Sequence, residues 1–411
     1  MASARKPSWM MRRSMEPATM STEILQAQAL LIMERIYLDI HLASLESQKI
    51  SIDHKSTTPN TFEVTVERIV SSASKALKQK AVPCDLQLQR FVDLGKSLGW
   101  MLLSICSNSI HFVDAAAAAN NNDNDDKLWK ALYALIRSNA ISIELFAKIR
   151  RLDWQRVIPP DLRPTYGGQL KVEPQDAHPY VVKPDTKVIY HPKYKTQKQR
   201  NIPASFYSPP NFQPPPDLRR HPDDGNCALC NNPKLCNCVL RLAEENPPLL
   251  ELREYPERGI GVRSLRSIKA GTFIGQYVGE IRKPPVLDST YALHHSLRKR
   301  SIGIVDAAIY GNWTRYMNHS CRAGVIFVSA VVGEWAYVLV RTIRDIKMFE
   351  EITVDYGDGY FEPRERVCRC REEGCRFKGR REGEGRKDLS GEEGAEFLPL
   401  YKSLTAMQRF L

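Results

Sequence analysis

The chain has 411 residues, a formal net charge of +12 and 43% hydrophobic residues, and its sequence pI is about 9.2. This length allows two or three domains, and the basic charge favours acidic partners such as nucleic acid or chromatin. No run of about 18 apolar residues lacks a polar interruption, which excludes a membrane span. Since no secretory segment is visible, we expect an intracellular protein whose ten cysteines are thiols or metal ligands rather than disulfides.

The N-terminal part of the chain is predicted to be helical. Residues 1–22 are basic and are expected to be disordered, and residues 23–154 form the helical region. Its first segment carries an apolar stripe at helical spacing, made of Leu25, Ala29, Ile32, Ile36, Ile40 and Ala43. The segment "AAAAANNNDNDD" at 115–126 is predicted to be a low-complexity loop. Nothing in this region indicates chemistry.

Prolines cluster in residues 155–224, and the helical periodicity ends there, which predicts an extended Pro-rich linker. Its segment 183–200 is basic with interleaved tyrosines. A solvated linker is the favoured interpretation, and contact with nucleic acid or a histone tail is the alternative. Residues 225–245 are Cys-rich. Residues 246–361 hold short Val, Ile and Tyr runs between Gly and Pro, which predicts a compact β-rich domain.

The ten cysteines divide into one pair and two groups of four. Cys84 and Cys106 lie in the helical region and are interpreted as small buried apolar residues. The other eight form two groups: Cys227, Cys230, Cys236 and Cys238, then Cys321, Cys368, Cys370 and Cys375. A structural zinc site takes four ligands, and thiolates are suited to it. The last three cysteines lack a fourth ligand, and Cys321 supplies it. The first group is a second candidate zinc site, with a shared two-metal site or free thiols as alternatives.

Five motifs follow one another in the β-rich part: "RGIGVRS" (258–264), "GTFIGQYVGEI" (271–281), "RYMNHSC" (315–321), "EEITVDYG" (350–357) and "CRCREEGC" (368–375). In this order they resemble the SET-domain protein-lysine methyltransferases. The resemblance implies an α+β fold with a C-terminal β-rich SET domain at 246–361. It also implies a zinc-bound post-SET segment at 362–376 and a tail at 377–411. In that family the post-SET segment crosses the "NHSC" strand in a knot-like arrangement.

The resemblance also implies a site for S-adenosylmethionine. Its expected cofactor-binding residues are Arg258, Gly259, Ile260, Gly261, Arg315, Asn318 and His319. From the residues themselves, glycines in this turn allow backbone to approach a ligand closely. The alternatives are a plain hairpin turn, a structural role for His319, and a buried ion pair between Arg315 and Glu280.

Tyr356 and Tyr277 are the predicted catalytic residues. A lysine amine must be neutral to attack, and burial in an apolar channel lowers its pKa from about 10.4. A tyrosine hydroxyl at the end of such a channel can align the amine and contact the transferring methyl group. By family position, Tyr277 and Val354 are also expected to line the lysine channel. For Tyr277 the alternative is an ordinary core aromatic residue.

Three departures from the family pattern affect the expected activity. Ile260 replaces the usual aromatic residue between the glycines, and Arg322-Ala323-Gly324 replaces the usual sequence after "NHSC". Val354 stands where the family commonly has Phe or Tyr. None of these changes removes a catalytic group.

The resemblance therefore implies a protein-lysine N-methyltransferase that uses S-adenosylmethionine and Zn²⁺. The expected substrate is a histone tail lysine, and the expected location is the nucleus, on chromosomes. Two alternatives stay open. One is a methyltransferase of a non-histone protein. The other is a catalytically inactive SET module that acts as a chromatin adaptor, which the departures at residues 260 and 323 allow.

Overall fold

The fold is known from a computed structural model. It describes residues 21–52, 61–79, 85–118, 123–155, 157–162, 181–184, 188–195, 197–209, 212–238, 249–286, 290–298, 300–362 and 366–378. The described residues form two compact units. The first takes those within 21–40, 61–140 and 154–162, and the second takes 41–52, 141–153 and everything from 181 onward. Cys84 and the predicted terminal segments, apart from their innermost residues, lie outside the described residues.

The N-terminal part is helical, as predicted. Its helices are α1 (Thr22–Ile52), α2 (Thr61–Lys78), α3 (Leu86–Leu98), α4 (Trp100–Cys106), α5 (Ile110–Ala117), α6 (Asp123–Ser138) and α7 (Ala140–Ile149). Helix α3 begins where the Asp85 carboxylate accepts the Gln87 N–H at 2.8 Å, a side-chain cap of an otherwise unpaired backbone donor. Helix α5 begins in the same way at Ser109. None of the described helices is long and apolar enough to cross a membrane.

The predicted loop at 115–126 is wrong at both ends. Helix α5 continues through Ala117, and helix α6 already begins at Asp123. Alanine has the highest intrinsic helix propensity, so the alanine run extends the first helix. Aspartates in the first turn of α6 interact favourably with the positive end of its dipole. Residues 119–122 lie outside the described part of the chain.

The C-terminal part is built from short strands, which were predicted within 246–361 but not for the first five of them. They are β1 (Val181–Lys183), β2 (Val188–Tyr190), β3 (Lys193–Tyr194), β4 (Gln197–Lys198), β5 (Arg200–Asn201), β6 (Leu250–Tyr255), β7 (Gly259–Ser264), β8 (Phe273–Gln276), β9 (Glu280–Arg282), β10 (Ala292–Leu297), β11 (Arg300–Asp306), β12 (Tyr310–Gly311), β13 (Val325–Val332), β14 (Trp335–Thr342) and β15 (Glu351–Ile352).

The strands form several small sheets rather than one large sheet. The largest has the order β15-β7-β6-β1-β2, two others have the orders β10-β11-β9 and β13-β14-β8, and two pairs are β12-β5 and β3-β4. Strands β6 and β7 form an antiparallel hairpin whose register pairs Tyr255 with Gly259. Side chains from several sheets share one core, which includes Leu252, Val262, Met317 and Val354. The predicted α+β fold class is confirmed.

The predicted linker at 155–224 is wrong at the strands β1 to β5, which lie within it. Strand β1 pairs in parallel with β6, and β5 pairs in parallel with β12. Val181 is fully buried in the shared core. Tyr190 also packs against this core. The surrounding prolines and lysines obscured these short strands in the sequence. Residues 163–180 lie outside the described residues.

Candidate active site and metal centres

Within the described residues, two groups of side chains could hold a metal ion. In the group of Cys321, Cys368, Cys370 and Cys375, the four Sγ atoms all lie within 4.8 Å of one another. Cys321 Sγ lies 3.9 Å from Cys368 Sγ and 3.8 Å from Cys375 Sγ. A tetrahedral zinc with Zn–S bonds of about 2.3 Å separates its sulfurs by about 3.8 Å. These residues therefore fit zinc, and they bring the C-terminal segment onto the "NHSC" loop.

The C-terminal segment is also tied to this loop by polar side chains. The Ser320 hydroxyl donates to Glu372 Oε1 at 3.0 Å. Arg376 Nη2 donates to both carboxylate oxygens of Asp355, at 2.6 and 2.7 Å. Asp355 is the residue before Tyr356, so the last described segment touches the predicted catalytic motif directly.

The group of Cys227, Cys230, Cys236 and Cys238 is equally compact, with Sγ atoms within 4.8 Å of one another. Burial alone would raise the pKa of the Cys227 thiol. Hydrogen bonds from the backbone N–H groups of Gly333, Cys230 and Leu229 outweigh burial and lower that pKa to about 6. Backbone donors aimed at a sulfur stabilise a thiolate, which is the form that binds metal.

Arg220 holds the loop that carries this first cysteine group. Its guanidinium donates to the carbonyl oxygens of Gly225, Pro233 and Lys234 at 2.7 to 3.0 Å. The buried Cys227 and Cys238 pack against Val332 and Leu339, so the cysteine loop rests on the β13–β14 hairpin. The four thiols of this loop also fit zinc.

A carboxylate joins the two predicted cofactor motifs. Glu351 Oε2 lies 2.6 Å from Arg258 Nη2, and Glu351 Oε1 accepts a hydrogen bond from Asn318 Nδ2 at 2.9 Å. Burial raises the pKa of Glu351, and its contacts with Asn318 and Arg258 oppose that shift. A Cβ placed on Gly261 would lie 2.5 Å from Glu351 Oε1 and 2.8 Å from Asn318 Nδ2. A larger residue at 261 would displace Glu351 or Asn318 and so disturb the hydrogen bond between them.

His319 connects the predicted catalytic tyrosine with a cysteine. The backbone N–H of Tyr356 donates to His319 Nδ1 at 3.1 Å. The hydrogen of the neutral ring is therefore on Nε2, which lies 3.4 Å from Cys321 Sγ. Burial lowers the pKa of His319 to about 4, with Asp355 opposing the shift. The imidazole is thus a neutral bridge between the cysteine group and the backbone of residue 356.

A cavity of about 300 Å³ lies beside this bridge. Its lining residues are Glu257, Arg258, Asn318, His319, Tyr356, Tyr360, Phe361, Val367 and Arg369. Four of the predicted site residues therefore line the same cavity: Arg258, Asn318, His319 and Tyr356. Gly259, Ile260, Gly261 and Arg315 do not line this cavity. Gly259 has a left-handed backbone (φ +73°) at the start of β7, and Ile260 packs against the shared core.

The two predicted catalytic tyrosines have matching hydrogen bonds. Tyr356 Oη donates to the carbonyl of Met317 at 2.8 Å, and Tyr277 Oη donates to the carbonyl of Tyr291 at 2.7 Å. Burial raises the pKa of both phenols, and they interact electrostatically with each other. Both hydroxyls thus stay protonated at neutral pH. Since each hydrogen points at a carbonyl, the oxygen lone pairs are left for another partner.

Val354 is buried, with 2% of its side chain exposed, and packs in the shared core together with Met317 and Val325. Its N–H donates to the Asn318 carbonyl at 3.0 Å, and its carbonyl accepts the Ser320 N–H at 3.1 Å. Residues 318–320 and Val354 therefore run side by side in a short parallel bridge. The role of Val354 in a lysine channel stays a prediction.

An ion pair between Arg315 and Glu280, the structural alternative from the sequence, is not what the structure shows. The Arg315 guanidinium donates to the carbonyls of Ala307 and Arg200 at 2.7 and 2.9 Å. Glu280 instead pairs with Arg282 at 2.6 Å. Carbonyl oxygens accept hydrogen bonds from both terminal nitrogens of the buried guanidinium without burying a second charge, while Arg315 Nε has no partner among the described residues. Arg315 therefore ties the "RYMNHSC" segment to the backbone at Ala307 and Arg200.

Sequence reasoning missed Glu351, Tyr360 and Phe361. Glu351 stands inside the quoted "EEITVDYG" motif, but nothing local distinguishes it from Glu350. The rings of Tyr356 and Tyr360 lie 4.7 Å apart, and those of His319 and Phe361 lie 4.7 Å apart. Tyr360 and Phe361, which follow Tyr356 by four and five residues in "YGDGYF", were the sequence pattern that could have indicated an aromatic wall beside it.

Residues 259–357 match the family model described as "SET domain". Histone-lysine N-methyltransferase EHMT1 of Mus musculus is 29% identical over 160 residues, which are 36% of this chain and 12% of that protein. The Schizosaccharomyces pombe H3 lysine-9 specific histone-lysine N-methyltransferase is 32% identical over 206 residues, 41% of each chain. Histone-lysine N-methyltransferase SUV39H2 of Xenopus tropicalis is 32% identical over 157 residues, 32% of this chain and 37% of that protein.

A solved structure of Arabidopsis thaliana SUVH6 in complex with SAM is 20% identical, covers 48% of this chain and 52% of that chain, and has a TM-score of 0.33. The chain spans less than half the length of the curated relatives named above. The predicted resemblance is confirmed: the protein contains a SET domain, and its homologues are histone-lysine N-methyltransferases.

Proposed function

We propose that this protein transfers a methyl group from S-adenosylmethionine to the ε-amine of a lysine in a protein. The observation that carries the proposal is the pair of buried tyrosine hydroxyls, each donating to a carbonyl. One of them, Tyr356, also lines the 300 Å³ cavity. That volume is at the lower end of the range of about 300–1,000 Å³ that ligand sites occupy.

The cavity has the chemistry to hold the cofactor. Arg258 and Arg369 place guanidinium groups on its wall, which suits the carboxylate of a methionine moiety. Tyr360 and Phe361 offer aromatic surface for an adenine ring. Asn318 is held by Glu351, so its amide is oriented before any ligand arrives. When bound, S-adenosylmethionine would supply a methyl group on a positively charged sulfur, which a neutral lysine amine can take in a single displacement.

Tyr356 and Tyr277 align the reacting amine and do not act as bases. Their raised pKa keeps both phenols protonated at neutral pH. With their hydrogens engaged by Met317 and Tyr291, the oxygens can accept hydrogen bonds from the amine and weak C–H contacts from a methyl group. The lysine proton therefore has to leave to water, and burial of the amine helps because it lowers the lysine pKa.

Both cysteine groups are proposed to bind zinc, for different purposes. The group with Cys321 holds the segment that supplies Val367 and Arg369 to the cavity wall. The group with Cys227 rests on the β13–β14 hairpin. Structural zinc contributes directly to folding free energy. The zinc in the Cys321 group should thus affect cofactor binding, and the zinc in the Cys227 group should affect mainly stability.

A histone is the proposed substrate, which the names of the homologues support. A location in the nucleus on chromosomes follows from that substrate. The net charge of +12 favours contact with nucleic acid there. The basic segment 183–200, in which the side chains of Lys183, Lys193, Lys195 and Arg200 are described, is the proposed contact.

The test is a transfer assay with a labelled methyl group, using purified histone octamers in one arm and a histone-depleted cell lysate in the other. The wild-type chain should label histones, and Tyr356→Phe should label them on the order of a hundredfold more slowly. Tyr207→Phe changes an exposed tyrosine and is the matched control. Label in the lysate alone would support a non-histone substrate. No label in either arm would contradict the proposal, and calorimetry with S-adenosylhomocysteine would then identify an inactive adaptor that still binds cofactor.

A further inference from the structure

Residues 190–206 lie well before the part of the chain that matches the SET family, yet they bond to its site loops. The N–H of Phe206 donates to the Gly279 carbonyl, and the Phe206 carbonyl accepts the Ile281 N–H at 2.7 Å. Both partners belong to the "QYVGEI" segment that contains Tyr277. The upstream segment is thus a structural neighbour of a predicted catalytic residue.

The middle of this segment is anchored at Gln199 and Arg200. Gln199 Oε1 accepts the Tyr316 hydroxyl at 2.7 Å, and Gln199 Nε2 donates to the Ala308 carbonyl at 2.9 Å. The Arg200 carbonyl accepts a hydrogen bond from Arg315 Nη2 at 2.9 Å. Gln199 is 8% exposed, so these bonds are made in a protected environment and fix the backbone that follows the β3–β4 hairpin.

The hairpin places Tyr194 against Tyr291. Their ring centroids lie 5.0 Å apart at 84°, an edge-to-face contact. The Lys195 ammonium lies 5.5 Å from the centroid of the Tyr194 ring. Tyr291 packs against the cluster that contains Tyr277. Its carbonyl accepts two hydrogen bonds, from Tyr277 Oη at 2.7 Å and from the Ala307 N–H at 3.0 Å.

From these contacts we infer that Tyr194 is a positioning residue for the target lysine. It fixes Tyr291, and the Tyr291 carbonyl sets the direction of the Tyr277 hydroxyl. This inference rests on the proposed function, since Tyr277 matters only if a lysine enters beside it. It assigns a role in substrate alignment to a hairpin outside the matched SET region. The cofactor cavity has none of these residues on its wall, so the effect is confined to the protein substrate.

The kinetic test compares Tyr194→Ala, Tyr194→Phe and Tyr207→Ala with the wild-type chain on histone octamers. Tyr194→Ala should raise KM for the histone about fivefold, the size expected for losing one aromatic pair. Its affinity for S-adenosylhomocysteine should not change. Tyr194→Phe keeps the ring edge and should behave as wild type, as should the exposed control. A wild-type KM in Tyr194→Ala, or an equal loss of cofactor affinity, would overturn the inference.

A second measurement does not depend on activity. The Ala307 amide donates to the same Tyr291 carbonyl, so its hydrogen exchange reports whether Tyr291 is held in place. Exchange at Ala307 should be faster in Tyr194→Ala and unchanged in Tyr207→Ala. If the wild-type chain transfers no methyl group, the proposed function fails while this exchange still decides whether Tyr194 fixes Tyr291. Unchanged exchange in Tyr194→Ala contradicts the positioning role.

Discussion

Glu351 accepts a hydrogen bond from Asn318 at 2.9 Å, and this bond orients an amide on the wall of the cavity. The other carboxylate oxygen pairs with Arg258 at 2.6 Å. One acid in β15 therefore organises two motifs that are far apart in the sequence. Its own location is buried, so the two bonds are little screened by solvent.

Glu351→Gln should weaken binding of S-adenosylhomocysteine about tenfold. The neutral amide has one acceptor oxygen, so it cannot accept from both Arg258 and Asn318, and a hydrogen bond between charged groups contributes at least about 1.5 kcal/mol. Isothermal calorimetry measures this directly. Glu350→Gln is the matched control, because Glu350 pairs with Arg344 instead. Equal affinities for the two variants would show that Glu351 does not organise the cofactor site.

The zinc sites should be separable. We expect two zinc ions per wild-type chain by elemental analysis, and one in each of Cys370→Ser and Cys230→Ser. Only Cys370→Ser should lose cofactor binding and methyl transfer almost completely, because its group positions the Val367 and Arg369 side of the cavity. Cys230→Ser should mainly lower the melting temperature. Full activity of a metal-free preparation would refute the coupling.

The product of the reaction is predicted to be di- or trimethyl-lysine. A tyrosine two residues before the catalytic tyrosine could hold a water in the space that a methylated amine needs. Val354 has no hydroxyl, and a water in an apolar pocket lacks the two to four polar partners it requires. Val354→Tyr should shift the product toward monomethyl-lysine. Mass spectrometry at exhaustive turnover decides this, and a wild-type reaction that stops at one methyl group would contradict it.

The buried tyrosines should limit stability at alkaline pH. Burial raises the pKa of Tyr255, Tyr277, Tyr316 and Tyr356 above the ordinary value. Below about pH 10 the phenols are protonated in both the folded and the unfolded chain, so stability does not change. Above that pH the unfolded chain loses these protons first, and the free energy of unfolding falls. Tyrosinate absorbance of the buried residues should appear together with loss of circular dichroism. Complete ionisation in a chain that is still folded would be the contrary result.

The β-rich domain and the two groups of four cysteines could be predicted from the sequence, because short local patterns of residues indicate both. The last three cysteines need a fourth ligand to complete a zinc site, which predicted Cys321, and the structure brings its sulfur to the other three. A special role for glycine at residue 261 was also predicted, and a Cβ there would lie 2.5 Å from Glu351 Oε1 and 2.8 Å from Asn318 Nδ2. Its contact with the cofactor stays a prediction.

The role of the upstream segment could not be predicted, because its partners are distant in the sequence. Gln199 meets Tyr316 across 117 residues, and the Arg200 carbonyl meets Arg315 across 115 residues. A Pro-rich and basic surrounding predicts a linker on composition alone. The pairing of β5 with β12, and that of the preceding β1 with β6, shows that this part of the chain belongs to the SET-like fold.

Tyr356→Phe gives the most direct measurement of the central claim. The variant should bind S-adenosylhomocysteine as the wild type does, since the change removes one hydroxyl and keeps the ring. Its turnover on histones should fall on the order of a hundredfold, because the hydroxyl acts on the transition state. Peptide mass spectrometry of the wild-type reaction should locate the methyl groups on lysine. Wild-type turnover in Tyr356→Phe, or no methyl-lysine in the wild-type reaction, would contradict the account.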